Sequence, residues 1–189
     1  MERLSGHMPR VNAILRHPLY REWYGKLEET EKSRIFCRHQ MTHLLDTARI
    51  AYITALEQGL DLEKEVIYAA AVLHDIGKQE QYENGVPHEI SSERIAGEIL
   101  DSLPECPAET SAAALPENSS EVPGKTAFTT EEKSMILTAI RGHRKLRDDA
   151  EPLERLLYAA DKASRICFAC PAEKECNWSR EKKNMELTI

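Results

Sequence analysis

Hydrophobic residues recur along this chain mainly at intervals of three and four positions, a spacing that places them on one face of an α-helix. The clearest stripe falls between about Ser33 and Leu56, and Gly59 behind it is a residue at which a helix can stop. A second stripe ends near Gly77. The pattern therefore predicts two consecutive helices with these core-facing residues: Leu44, Leu45, Ala48, Ala51, Tyr52 and Ala55 in the first, and Val66, Ala69, Ala70 and Leu73 in the second.

Three further helices are predicted in the second half of the chain. Pro87 suits the first turn of a helix that should extend to about Asp101. Thr129 and Glu132 have the spacing of a capping box, and Pro152 opens the last predicted helix. No segment shows the alternation of polar and apolar residues that is typical of a strand, so we predict an all-α fold.

The length of 189 residues is that of one domain, and 41% apolar residues are enough to form a core. Residues 104–127 are rich in Pro, Ser, Glu and small side chains, which predicts a disordered loop. We therefore predict a single domain over residues 1–189, with its helical core at about 34–165 and a cysteine-rich tail at 166–189.

Charge and hydropathy exclude several classes of partner. The net charge of −7 argues against nucleic acid and against an anionic membrane surface. No stretch approaches the roughly 20 apolar residues that cross a bilayer, and the first residues lack a secretory signal, so we expect a cytoplasmic protein. A phosphorylated substrate would then need a local cluster of positive charge.

The candidate chemistry begins with His74 and Asp75, an adjacent pair just before Gly77, where the second helix should end. Alone, such a pair is more often a hydrogen-bonded surface dipeptide. His43 lies beside the apolar stripe of the first helix, and Asp161 lies among small residues of the last. A buried imidazole and a buried carboxylate both need partners, and coordination of a metal ion satisfies them.

Together these residues resemble the HD-domain superfamily, whose pattern is a His, a His-Asp pair and a distant Asp on separate helices of one bundle. The resemblance covers about Arg34 to Arg165, and Ala69–Lys78 is similar to its diagnostic element. It implies a helical bundle with metal-dependent phosphohydrolase activity on a nucleotide or a small phosphoester. The implied metal ligands are His43, His74, Asp75 and Asp161.

Two imidazoles with carboxylates suit Mn, Fe, Co or Mg better than a structural zinc ion. Such an ion activates water and polarises a phosphoryl oxygen. Members of the superfamily with two metals recruit additional histidines, so the resemblance implies that His88 and His143 hold a second ion. Taken singly, either histidine would more often cap a helix or lie in the core.

Three residues are predicted to be catalytic: Asp75, Lys78 and His39. His39 precedes His43 by four residues, hence by one turn on the same helical face. This spacing is similar to the first metal helix of cyclic-nucleotide phosphodiesterases, which implies that His39 is a general acid. Other positions depart from that family's pattern, so only this role is carried over. The predicted substrate-binding residues are Lys78, Arg144, Lys162 and Arg165.

Cysteines form a separate motif in the tail. Cys167, Cys170 and Cys176 have a spacing that resembles the iron-sulfur loop of some DNA repair glycosylases. Cys37 lies six residues before His43, as Cys167 lies six after Asp161, so antiparallel helices would project both thiols about 9 Å to one side. These four cysteines are predicted to bind a four-iron four-sulfur cluster or zinc, with unligated thiols as the alternative. Cys106 should take no part.

Two other functions remain open at the level of the sequence. A few HD-type proteins use the same ligands as di-iron oxygenases, and a non-catalytic sensor of a metal or a nucleotide would also retain them. The sequence does not indicate the oligomeric state. The function that we predict is phosphoester hydrolysis.

Overall fold

The structure is a computed structural model that describes residues 6–104 and 127–187. Nearly all of the predicted disordered loop falls on residues 105–126 and so lies outside the described residues. The described parts contain eight α-helices and no strand, which confirms the all-α prediction. The helices are α1 (Pro9–Arg16), α2 (Pro18–Thr30), α3 (Met41–Glu57), α4 (Lys64–Leu73), α5 (Lys78–Asn84), α6 (His88–Ser102), α7 (Thr130–Gly142) and α8 (Pro152–Ala163).

Helix α4 lies at the centre of the bundle and packs against α1, α3, α7 and α8. Its last five residues, Ala69–Leu73, have no exposed surface. A helix that is apolar all round is stable only when other helices cover every side of it, and each buried Val, Leu or Ile contributes about 1.5–3 kcal/mol. Because α4 ends inside the core, the residues that follow it are delivered to the middle of the molecule.

The predicted start of the first long helix was wrong. We expected it near Ser33, but α3 begins at Met41, and residues 33–40 contain no helix. The backbone N–H of His39 donates to a carboxylate oxygen of Glu31 at 2.6 Å, and Gln40 is extended at the N-cap. These contacts hold the segment in an irregular path that cannot continue the helix.

Two N-terminal helices were not predicted, although each begins with a proline at its start, as helices commonly do. Helix α1 is held to the bundle by Arg10, whose side chain is 4% exposed. The guanidinium of Arg10 contacts Glu65 at 3.3 Å and Glu132 at 2.8 Å. These ion pairs join α1 to the start of α4 and to the first turn of α7, which carries the predicted capping box.

Gly77 explains how the chain turns sharply between α4 and α5. A Cβ atom at this position would lie 2.3 Å from the backbone nitrogen of Ser92 and 2.5 Å from the carbonyl carbon of Ser91. The N–H of Gly77 also donates to the Ser92 hydroxyl at 2.9 Å. Only glycine allows the chain after α4 to pass this close to α6.

No helix within residues 6–104 and 127–187 is long and apolar enough to cross a membrane.

Candidate metal centre

Four side chains from three helical regions meet at the end of α4. His43 comes from the first turn of α3, His74 and Asp75 directly follow α4, and Asp161 lies in the last turn of α8. One ligand atom from each lies within 4.8 Å of all the others. Nε2 of His43 lies 3.4 Å from Asp75 Oδ2 and 3.3 Å from Asp161 Oδ1. The four residues predicted to bind one metal ion are therefore brought together.

Asp75 also belongs to a second set of potential ligands with His88 and His143. Its Oδ1 lies 3.2 Å from His88 Nε2 and 3.7 Å from His143 Nε2, whereas its Oδ2 lies 3.0 Å from His74 Nε2. One carboxylate thus turns one oxygen toward each set. This arrangement fits two neighbouring cations that share Asp75.

The orientation of the imidazoles favours ligation through Nε2. Nδ1 of His74 donates to the carbonyl of Ala71 at 2.6 Å, and Nδ1 of His143 donates to the carbonyl of Ile140 at 2.6 Å. A carbonyl can only accept, so in a neutral ring the lone pair is left on Nε2. His74 Nε2 and Asp75 Oδ2 are buried 3.0 Å apart, and neither makes a hydrogen bond of good geometry. Buried polar atoms without partners are costly, and a metal ion would satisfy both.

The electrostatics of the centre attract positive charge. Burial by itself lowers the pKa of His74, but the carboxylates of Asp75 and Asp161 outweigh that effect and raise the pKa to about 10. Burial opposes ionisation of Asp75, yet His74 and His39 hold its pKa well below the usual range. A site that holds a proton this firmly releases it when a divalent cation takes its place.

Arg165 is the cation closest to the first set. Its Nη2 donates to Asp161 Oδ1 at 2.8 Å and lies 3.3 Å from His43 Nε2. Burial favours the protonated form of Asp161, but Arg165 outweighs this effect and holds the pKa of that carboxyl well below its usual range. We predicted a substrate-binding role for Arg165, and its direct contacts are with two predicted metal ligands.

His39 reaches the centre by a route that we did not predict. It precedes α3 instead of lying one turn before His43 on the same helix, yet its Nε2 lies 3.9 Å from Asp75 Oδ2. Its Nδ1 lies 2.5 Å from a carboxylate oxygen of Glu31, which also accepts a hydrogen bond from the Tyr82 hydroxyl at 2.6 Å. Glu31 and Tyr82 therefore fix the ring of His39.

Sequence reasoning missed Glu31, which lies in the charged run after α2 and looks like a solvated surface residue. Its side chain is 2% exposed. Burial raises its pKa, but the hydrogen bond and the charge of His39 lower it to about 2. The sequence offered no signal for this role, because its contacts with His39 and Tyr82 form only when the chain folds back.

A cavity of about 1290 Å³ opens beside the centre. Asp75 and Asp161 border it, as do all four predicted substrate-binding residues, Lys78, Arg144, Lys162 and Arg165. Burial lowers the pKa of Lys78, whose Nζ lies 3.3 Å from His88 Nδ1. Arg144 is exposed and contacts Glu89 at 3.2 Å. The predicted basic residues therefore surround one space.

The helical argument for the cysteines was wrong in its geometry. Cys37 precedes α3, and Cys167 follows the end of α8 in a 3-10 turn, Cys167–Ala169, so neither thiol projects from the helix of its nearest ligand. The two sets of close ligand atoms found among the described residues contain no cysteine. Cys37, Cys167, Cys170 and Cys176 are free thiols, and Cys106 lies outside the described residues.

Comparison with known proteins agrees with this geometry. A protein of Clostridium beijerinckii, described as uncharacterized, is 41% identical over 180 residues, which cover 95% of this chain and 99% of the relative. The fold matches a crystal structure from an uncultured Thermotogales bacterium, described as a predicted HD superfamily hydrolase, with a TM-score of 0.59. That match is 18% identical and covers 94% of this chain and 83% of the other. The family model for the HD domain matches residues 41–166. The chain therefore belongs to the HD-domain family, as the resemblance predicted.

Proposed function

We propose that this protein is a metal-dependent phosphohydrolase that acts on a small phosphorylated substrate, most simply a nucleotide. Membership of the HD-domain family supports a metal-dependent hydrolase in general. The observation that carries the finer proposal is Asp75, which joins two buried sets of ligands at the edge of a cavity bordered by Lys and Arg. Imidazole and carboxylate ligands that suit cations therefore lie next to Lys and Arg side chains that suit an anion.

His43, His74, Asp75 and Asp161 would hold one divalent ion, and Asp75, His88 and His143 would hold a second. A bound divalent ion lowers the pKa of water and stabilises the charge that develops on a phosphoryl oxygen. Mn, Fe, Co and Mg all suit these nitrogen and oxygen ligands. Neither set contains a thiolate, the ligand that is typical of structural zinc sites.

The protein's own residues bind and orient the substrate. Lys78 and Lys162 both border the cavity, and burial lowers the pKa of both amines. A partly desolvated ammonium interacts strongly with phosphate, because less water screens its charge. Arg144 at the rim offers a planar fork that suits phosphate oxygens. Trp178 and Phe36 border the same cavity and offer aromatic faces on which a base can stack.

His39 is the candidate general acid for the leaving oxygen. Its Nδ1 is occupied by Glu31, so Nε2, which faces Asp75, is the nitrogen able to hold the transferred proton. Burial lowers the pKa of His39, while the carboxylates of Asp75 and Glu31 oppose that shift. Glu31 is a positioning residue, since it acts through His39.

The proposal is tested by preparing the protein anaerobically, removing its metals and restoring Mn, Fe, Co or Mg singly. Each form is assayed against nucleoside mono-, di- and triphosphates, cyclic nucleotides, sugar phosphates and p-nitrophenyl phosphate. We expect release of phosphate or of a nucleotide that requires the metal and stops with excess chelator. Oxygen uptake by the iron form, with no phosphoester cleaved in any metal form, would instead identify an oxygenase. Metal binding without turnover of any kind would identify a sensor.

Replacing His39 with glutamine should lower kcat by roughly 10²-fold or more on a substrate with a ribose or alkyl leaving group. A poor leaving group needs a proton as its bond breaks, whereas p-nitrophenolate leaves without one. The variant should therefore retain most of its activity on the p-nitrophenyl ester. The measurement is the ratio of kcat on the two substrates.

Glu31→Gln is the matched variant for the positioning role. The amide keeps the shape of the side chain but removes its charge, so the same leaving-group effect should appear at a smaller size. Equal losses on both substrates in His39→Gln would contradict a proton donor and indicate a structural role.

A further inference from the structure

We propose that Cys37, Cys167, Cys170 and Cys176 bind one iron-sulfur cluster beside the catalytic centre. This site is separate from the two His/Asp sets, and its argument does not depend on the phosphohydrolase proposal. It rests on where the fold brings the four thiols, on the turns that carry them and on the charges around them.

The start of α3 lies beside the end of α8. Nδ1 of His43 lies 3.0 Å from the hydroxyl of Ser164, and the hydroxyl of Thr47 lies 3.3 Å from the same oxygen. Cys37 lies in the irregular segment before α3, and the tail cysteines follow α8. The two parts of the chain that carry cysteines therefore emerge at the same end of this helix pair.

Short turns connect the three tail cysteines. The N–H of Cys170 donates to the carbonyl of Cys167 at 3.2 Å, and the N–H of Cys176 donates to the carbonyl of Glu173 at 3.4 Å. The tail is fastened to the bundle by the side-chain amide of Asn184, which donates to the carbonyls of Ala163 and Arg165 at 2.7 and 2.9 Å. The loop is thus built by local hydrogen bonds and tied to the end of α8.

Two cavities connect Cys37 with the tail. Cys37 and Cys170 border a cavity of about 750 Å³, and Cys37 and Cys176 border the larger cavity beside the metal centre. Cys167 is 6% exposed.

Two cationic side chains lie near the cysteines. Arg165 and Lys183 border the same cavity as Cys37 and Cys176. Nζ of Lys183 also donates to Glu173 at 2.7 Å within the cysteine loop. A cluster held by four thiolates carries a net negative charge, which neighbouring cations stabilise.

The thiols are not arranged as a preformed site for a single zinc ion. Tetrahedral zinc with Zn–S bonds of about 2.3 Å would place each pair of sulfurs about 3.8 Å apart. No three of the four thiols, all of which the structure describes, lie within 4.8 Å of one another. In an iron-sulfur cube each thiolate binds a different iron, so the sulfurs are more widely spread.

The test uses the full-length protein, purified without oxygen and reconstituted with ferrous iron and sulfide. We expect roughly four irons and four acid-labile sulfides per chain and a broad visible absorption band. Cys37→Ser and Cys176→Ser, one from each segment, should each lose most of the sulfide and the absorption. Cys106→Ser is the matched control and should keep both. Far-UV circular dichroism checks that each variant keeps its helices.

Iron bound by the His/Asp ligands must be distinguished from iron bound by thiolates. Asp75→Ala should lower the iron content but leave the sulfide unchanged, because that carboxylate touches no cysteine. Sulfide retained by both Cys37→Ser and Cys176→Ser, or lost from Cys106→Ser, would overturn the four-cysteine site. One equivalent of zinc without sulfide would overturn the cluster. Failure of every hydrolysis assay would leave these measurements unchanged.

Discussion

Alanine in place of Asp75 is expected to abolish phosphoester hydrolysis while the protein remains a folded helical bundle. Asp75 is 2% exposed, and its two oxygens face the two sets of ligands separately. Its loss therefore weakens both candidate ion sites at once. Several kcal/mol of lost transition-state stabilisation corresponds to a fall in kcat of roughly 10³-fold or more. The change removes little apolar burial, so the free energy of unfolding should change by much less than this loss of transition-state stabilisation.

The measurements are the metal content and kcat of the metal-loaded variant, together with its far-UV circular dichroism. Asp46→Ala is a suitable control, because Asp46 is an exposed carboxylate on α3 whose ion pair is with Arg49 at 3.1 Å. It should bind metal and turn over substrate like the parent protein. Undiminished turnover by Asp75→Ala would show that the chemistry lies elsewhere.

Gly77→Ala should be the most destabilising small substitution near the site. The added methyl group would lie 2.3 Å from the backbone nitrogen of Ser92. Backbone atoms in a helix cannot move aside as a flexible side chain can, so α4 and α6 must separate. Overpacking of this kind costs about 1–3 kcal/mol or more. His88 begins α6, so activity should fall together with stability.

The measurement is the midpoint of unfolding in urea, compared with that of Gly25→Ala. Gly25 lies within α2, and a Cβ atom there would have no neighbour within 4 Å. Alanine at that helical position should stabilise the protein by about 0.5–1 kcal/mol. A midpoint for Gly77→Ala equal to that of the parent would refute the argument from close packing.

Periodicity predicted the helices that bury a clear apolar face. It identified α4, α6, α7 and α8, and it identified α3 but placed its start near Ser33 instead of at Met41. It missed α5 (Lys78–Asn84), whose sequence is polar almost throughout. It also missed α1, where the buried Arg10 occupies a position that pattern reasoning assigns to solvent. The local pattern of apolar residues cannot predict a helix whose packing depends on ion pairs with glutamates that are distant in the sequence.

The candidate metal ligands were implied by the resemblance to the HD-domain pattern, and their sequence surroundings give a physical reason for it. An imidazole or a carboxylate among apolar residues is costly unless a partner satisfies it, and His43, His74, Asp75 and Asp161 all stand in such surroundings. Glu31 was not predictable, because its sequence neighbours are charged and its burial results from contacts made by other segments. The resemblance implied that His39 acts at the centre as a general acid, but the irregular backbone that brings it close to Asp75 was not expected.

The irregular segment between Glu31 and Gln40 contributes to both proposed sites. His39 is held beside Asp75 by Glu31, and Cys37, two residues away, faces the cavities shared with the tail cysteines. Ligation of Cys37 and the position of His39 are therefore linked through a few bonds of backbone. Linkage is reciprocal: if occupancy of the thiols changes the affinity for substrate by some factor, substrate changes their affinity for the cluster by the same factor. Loss of the proposed cluster through oxidation would then change the affinity for the proposed substrate by that factor.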